Sequence, residues 1–69
     1  MGLSLREQQV LALIEKGLTT QQIAFRLGIS RYTVRGHIRR MRAKFGVPRM
    51  SDLPTAAATM DLGELHDAF

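Results

Sequence analysis

The residues best equipped for chemistry in this chain are arginines. Between Ser30 and Phe45 it carries Arg31, Arg35, Arg39, Arg40, Arg42 and Lys44, six cations with no acid among them. A guanidinium stays charged at any accessible pH and offers donors in a planar fork. It is a poor base and a poor nucleophile, and it suits phosphate or the O6/N7 edge of guanine. The chemistry to expect is recognition of a polyanion, not bond making. Val34, Ile38, Met41 and Phe45 recur at helical spacing on another face of the same stretch. The stretch therefore reads as one helix with a core side and an anion side. At 1.5 Å per residue it is roughly 22 Å long, and its width suits the major groove of DNA.

The charge distribution makes the same point. Eight of the ten Lys and Arg residues lie between Arg26 and Arg49, a block with no acid, and Asp52, Asp61, Glu64 and Asp67 follow it. A basic block confined to one region is an electrostatic footprint for nucleic acid. Composition closes other routes. There is no cysteine, hence no disulfide or thiolate metal site, and two histidines without partners at metal spacing predict no metal and no cofactor. No glycine-rich phosphate loop or catalytic constellation is present, so no enzyme activity is expected. The longest apolar run, Val10 to Ile14, is far too short to span a membrane. Met1-Gly2-Leu3-Ser4 lacks a signal-peptide pattern, and a cytoplasmic protein is expected. With 69 residues the chain makes one domain, burying only about 60% of its unfolded surface.

The elements that must position the arginines can be read from their punctuation. Ser4 and Glu7 have capping-box spacing, as do Thr19 and Gln22. They open two helices, with Val10, Leu11, Leu13 and Ile14 inward on the first and Ile23, Ala24 and Leu27 on the second. Gly17 ends the first helix in the left-handed conformation, and Leu18 folds back on Leu13. Gly28 ends the second, Ile29 plugs the core, and Ser30 caps the arginine helix. Two helices joined by Gly28, Ile29 and Ser30, with small Ala24 at the crossing, form a helix-turn-helix. Gly46 and Pro48 stop the third helix. A fourth is expected from about Ser51, with Pro54 in its first turn and Leu53, Ala56, Ala57 and Met60 as an apolar stripe. Residues 1–60 are read as the domain and 61–69 as an acidic tail. Leu62, Leu65 and Phe69, behind an Asp61–Glu64 cap, allow a short fifth helix.

Taken together, these residues resemble the LuxR-type (NarL/FixJ, GerE-like) helix-turn-helix domain of bacterial transcription regulators. The resemblance rests on Leu3-Ser4-Leu5-Arg6-Glu7 with Val10-Leu11, Gly17-Leu18-Thr19 with Ile23-Ala24, and Leu27-Gly28-Ile29-Ser30. It continues through Thr33-Val34-Arg35 with His37 and Lys44-Phe45-Gly46-Val47. It implies an all-α, four-helix domain whose third helix enters the major groove, whose second lies across it, and whose fourth pairs two copies. It also implies base contacts from Arg35, Gly36 and Arg39, and phosphate contacts from Thr19, Thr20, Ser30, Arg31, Tyr32 and Thr33. The chain departs from the family pattern at Gln9, at Thr20-Gln21, at Phe25 and at Pro54.

The residues themselves support parts of this assignment. Gly36 costs a helix about 1 kcal/mol against alanine where no turn is needed, which reads either as close approach to a thymine methyl or the groove floor or as tolerance of a poor helix residue. Free N–H groups at the helix start favour phosphate beside Ser30, Arg31 and Thr33. Tyr32 either reaches a phosphate or covers the turn. Arg40, Arg42 and Lys44 are assigned to phosphates or the general field. His37, beside the apolar stripe, reads as packed or phosphate-facing, and His66 as exposed. The stripe of Leu53, Ala56, Ala57 and Met60 is a dimer seam or the lid of the domain's own core.

The expected function is sequence-specific binding of double-stranded DNA by a transcription regulator, as a homodimer through the fourth helix, with RNA polymerase as a candidate further partner. The alternatives are a sigma-factor-like promoter-binding region and an interaction protein that antagonises another regulator. Phe25, Pro54 and the acidic tail leave room for the latter. The charge split further suggests that residues 61–69 compete with DNA for the basic helix.

Overall fold

The computed structural model describes residues 2–59. They form α1 (Leu5–Glu15), α2 (Thr20–Leu27), α3 (Arg31–Phe45), a 3₁₀ turn (Met50–Asp52) and α4 (residues 53–59). The architecture is all-α, and α3 is the central element, packed against both α1 and α2.

Each of α1, α2 and α3 starts where a side chain can satisfy otherwise unpaired N–H groups. Ser4 Oγ accepts from Glu7 N at 3.1 Å, and Glu7 Oε1 accepts from Ser4 N at 2.9 Å. Thr19 and Gln22 repeat the arrangement at 3.2 and 2.9 Å. Ser30 Oγ accepts from Thr33 N at 3.1 Å.

The three helix ends are also alike. Gly17, Gly28 and Gly46 all adopt positive φ. The next residue in each case, Leu18, Ile29 or Val47, returns its N–H to a carbonyl five residues back, on Leu13, Ala24 or Arg42. This is the Schellman ending. It throws an apolar residue back onto the core after α1, α2 and α3, and Leu18, Ile29 and Val47 all pack against that core. Gly28 matters most, because its φ of 68° sets the turn between α2 and α3.

Val10, Ile23, Val34, Met41 and Leu53 are fully buried, with Leu11, Leu13, Ile14, Ala24, Ile38 and Ala57 around them. Every helix contributes to this one core. Phe45, expected on the core face of α3, packs at its edge and is half-buried.

The approach to α4 differs from expectation. A single helix from about Ser51 is replaced by the 3₁₀ turn followed by α4, with Pro54 in the first turn of α4. The Arg49–Asp52 ion pair, at 3.2 Å, spans the 3₁₀ turn. Leu53 and Ala57 are buried within this chain, so they close its own core and are not free to form a dimer seam. Ala56 is half-buried. Met60, the fifth helix, the 61–69 tail and His66 lie outside the described residues.

Candidate nucleic-acid interface

The site is the outer face of α3 together with the N-terminal ends of α2 and α3. Val34, Ile38 and Met41 anchor α3 in the core. Helical geometry then turns Arg31, Arg35 and Arg39 away from it, and all three are exposed. Among the described residues, no acid pairs with any of these three arginines: Glu7 is held by Lys44 and Asp52 by Arg49. Among the described residues, the face therefore presents uncompensated positive charge.

At the start of α3, Ser30, Arg31, Tyr32 and Thr33 are all exposed. The Ser30 and Thr33 hydroxyls lie 3.0 Å apart. Thr19 is exposed and Thr20 half-buried at the start of α2. Each of these helix starts carries N–H groups and a positive dipole end that favour an anion.

Gly36 is half-buried with ordinary helical backbone. The space left by its missing side chain is bordered by Arg40: a Cβ there would lie 3.7 Å from Arg40 Nη1 and 3.9 Å from Nη2. Arg40 Nη2 also bonds His37 Nδ1 at 3.0 Å. A guanidinium has no acceptor, so Nδ1 must accept and the His37 proton resides on Nε2. Partial burial holds the His37 pKa below the ordinary 6.5, helped by the charges of Arg40 and Arg6 and opposed by Glu7. A neutral imidazole is what this hydrogen bond requires.

Two cations assigned to phosphate have structural partners instead. Lys44 Nζ donates to Glu7 Oε1 and to the Gly2 carbonyl, each at 2.8 Å, clamping α3 to the start of α1. Arg42 Nη1 donates to the Pro48 carbonyl at 2.7 Å and fixes the chain after the α3 stop.

The Glu7–Lys44 pair was not foreseen from the sequence. Glu7 is only 3% exposed, although it reads as a surface capping residue. Burial pushes its carboxyl pKa up, but hydrogen bonds from Lys44 and Ser4 and the Lys44 charge outweigh that, and the net position is below the ordinary 4.5. The one local signal was a lysine on α3 at the edge of its apolar stripe, and nothing in the spacing tied it to a residue 37 positions away.

Comparison with known proteins agrees with this geometry. Residues 1–57 match the family model described as bacterial regulatory proteins, luxR family. The chain is 34% identical over 59 residues to the DNA-binding transcriptional activator DevR/DosR of Mycobacterium tuberculosis, covering 86% of this chain and 27% of that protein. It is 49% identical over 47 residues to the C4-dicarboxylate transport transcriptional regulatory protein DctR of Rhodobacter capsulatus, covering 68% and 24%. It is 47% identical over 46 residues to the probable transcriptional regulatory protein SgaR of Hyphomicrobium methylovorum, covering 67% and 22%. The chain thus spans about a quarter of the length of these relatives. Among solved structures, the response regulator ChrA of a heme-sensing two-component system superposes with a TM-score of 0.84 at 37% identity, over 90% of this chain and 31% of that one. Among the described residues no helix is long and apolar enough to cross a membrane. With a helix-turn-helix, an exposed arginine face and a family match over most of its length, this chain belongs to the luxR family of bacterial regulatory proteins, a family of DNA-binding regulators and not of enzymes.

Proposed function

We propose that this chain binds double-stranded DNA sequence-specifically as the DNA-binding unit of a transcription regulator. Helix α3 enters the major groove, with Arg35, Gly36 and Arg39 toward the base edges. Arg31, Tyr32, Thr33, Ser30, Thr19 and Thr20 meet phosphates at the rim and set the register. The observation that carries the reading is the row of exposed arginines opposite the buried Val34–Ile38–Met41 seam, without an acid against it among the described residues. Such a row is costly unless a polyanion neutralises it. Lys44 and Arg42 are left out of the contact set because each holds the domain together.

Residues 1–60 act as the DNA-binding domain, and the acidic segment 61–69 as an appended tail. Two copies occupy a two-part site, with Ala56 and Met60 as the remaining candidate seam residues, since Leu53 and Ala57 are in the core. The protein acts on DNA in the cytoplasm, and RNA polymerase is the partner through which such a regulator changes transcription. The family match favours this reading over a sigma-factor-like one.

Selection of binding sites from a randomised duplex library tests it. A discrete, two-part motif is expected. Recovery of unenriched sequence contradicts the reading.

A further inference from the structure

We propose that Arg40 reads a base pair through the gap at Gly36 and that His37 is the positioning residue that holds it there; the proposal rests on α3 being the recognition helix. By sequence position Arg40 belongs to the flank of α3, among the phosphate contacts. Three observations move it to the centre.

The first is the place of Gly36. At about 100° per residue, position 36 lies almost opposite the seam of Val34, Ile38 and Met41, so it occupies the middle of the outward face. The residue best placed to meet the groove floor therefore has no side chain of its own.

The second is the direction of Arg40. Side chains on a helix lean toward its N-terminus and cover the preceding turn, so residue 40 lies over residue 36. Its two terminal nitrogens lie 3.7 and 3.9 Å from where a Cβ on Gly36 would be. Near-equal distances lay the guanidinium fork across the glycine. A side chain extending beyond Cβ at position 36 would displace it.

The third is the anchor. His37 Nδ1 accepts from Arg40 Nη2 at 3.0 Å. That bond uses one of five N–H donors, and the others stay available for the O6 and N7 acceptors of guanine. An arginine already held in place also loses less rotamer freedom on binding. The ligand class is a guanine edge in the major groove.

The test is site selection from randomised duplex DNA with the full chain, using wild type, Arg40→Ala, His37→Ala, His37→Asn and the Arg35→Ala and Arg39→Ala controls. Arg40 is exposed, so its truncation leaves the fold intact. Arg40→Ala is expected to erase the preference at one base pair of the motif. It should lower affinity for the selected site about tenfold or more while lowering affinity for bulk DNA less than threefold. His37→Ala should blur the same base pair, and His37→Asn, which keeps an acceptor, should restore it. The proposal is overturned if Arg40→Ala keeps the full motif and weakens all sequences alike, with the salt slope shallower by about 0.9 as for a lost phosphate contact. If Arg35→Ala and Arg39→Ala destroy selection while Arg40→Ala does not, the recognition-helix reading stands and this inference falls. If wild type selects nothing, both fall.

Discussion

Lys44 on α3 and Glu7 on α1 meet at 2.8 Å, and Glu7 is almost entirely buried where they meet. The same carboxylate oxygen accepts from Ser4 N, so one acid caps α1 and ties it to α3. The other oxygen, Oε2, is buried without a hydrogen-bond partner. Lys44 is therefore the main source of compensation for a buried charge. Lys44→Met should destabilise the domain by about 1–3 kcal/mol, the usual cost of leaving a buried polar group unpaired. In a domain of this size that is a Tm loss of roughly 4–8 °C per kcal/mol. Adding Glu7→Gln should recover part of the loss, because no charge then remains buried. Thermal melts of the single and double variants measure this. The salt slope of DNA binding should be unchanged by Lys44→Met, which separates this role from a phosphate contact.

Gly28 and Gly36 should respond to alanine in opposite directions. Gly28 has φ of 68°, and a Cβ there meets nothing within 4 Å, so the cost is purely conformational. Gly28→Ala should lose roughly 1–2 kcal/mol. Gly36 is an ordinary helical position, and its Cβ would meet only the guanidinium of Arg40, at 3.7 Å, an ordinary contact. Gly36→Ala should gain up to about 1 kcal/mol from helix propensity while weakening DNA selection. Denaturant titration with a parallel binding assay checks both. A loss of stability at Gly36 would contradict the assignment of that glycine to recognition.

Acid should weaken the fold in two stages. His37 is held below its ordinary 6.5 by burial first, then by Arg40 and Arg6 against the opposing charge of Glu7, so the unfolded chain takes up that proton first. Stability is therefore lost as pH falls from 6.5 toward the folded-state pKa. Glu7 is held below 4.5, because the bonds from Lys44 and Ser4 outweigh the upward push of burial, so its contribution is present above 4.5 and lost as pH falls through its folded-state pKa. Melts between pH 8 and 3 should show both limbs. Glu7→Gln should flatten the lower one, and His37→Gln the upper.

Local signals in the sequence specified most of this fold. Ser4, Thr19 and Ser30 cap the helices they were expected to cap, and Gly17, Gly28 and Gly46 end them, because caps and left-handed turns depend on a few adjacent residues. The core face of α3 followed from its period. What stayed hidden depended on distant partners. Lys44 and Arg42 looked like two more outward cations until Glu7 and Pro48 were brought beside them. Leu53 and Ala57 looked equally suited to a dimer seam and to a core, since an apolar stripe does not name what it packs against. The same holds at Gly36, where the gap was legible and its neighbour, Arg40, was not. Phe25, a departure from the family pattern, is 89% exposed.

The central claim is that α3 reads DNA through its arginines. The most direct measurement is affinity for a selected duplex and for bulk genomic DNA across a salt series, with wild type, Arg35→Ala and Arg39→Ala. Several phosphate contacts predict a steep loss of affinity with salt, about 0.9 log units per log unit of salt for each contact. Each arginine variant should lose roughly 1–3 kcal/mol of preference for the selected duplex while bulk binding changes little. If wild type binds both DNAs equally and neither substitution alters the difference, α3 is not a reader and the account fails.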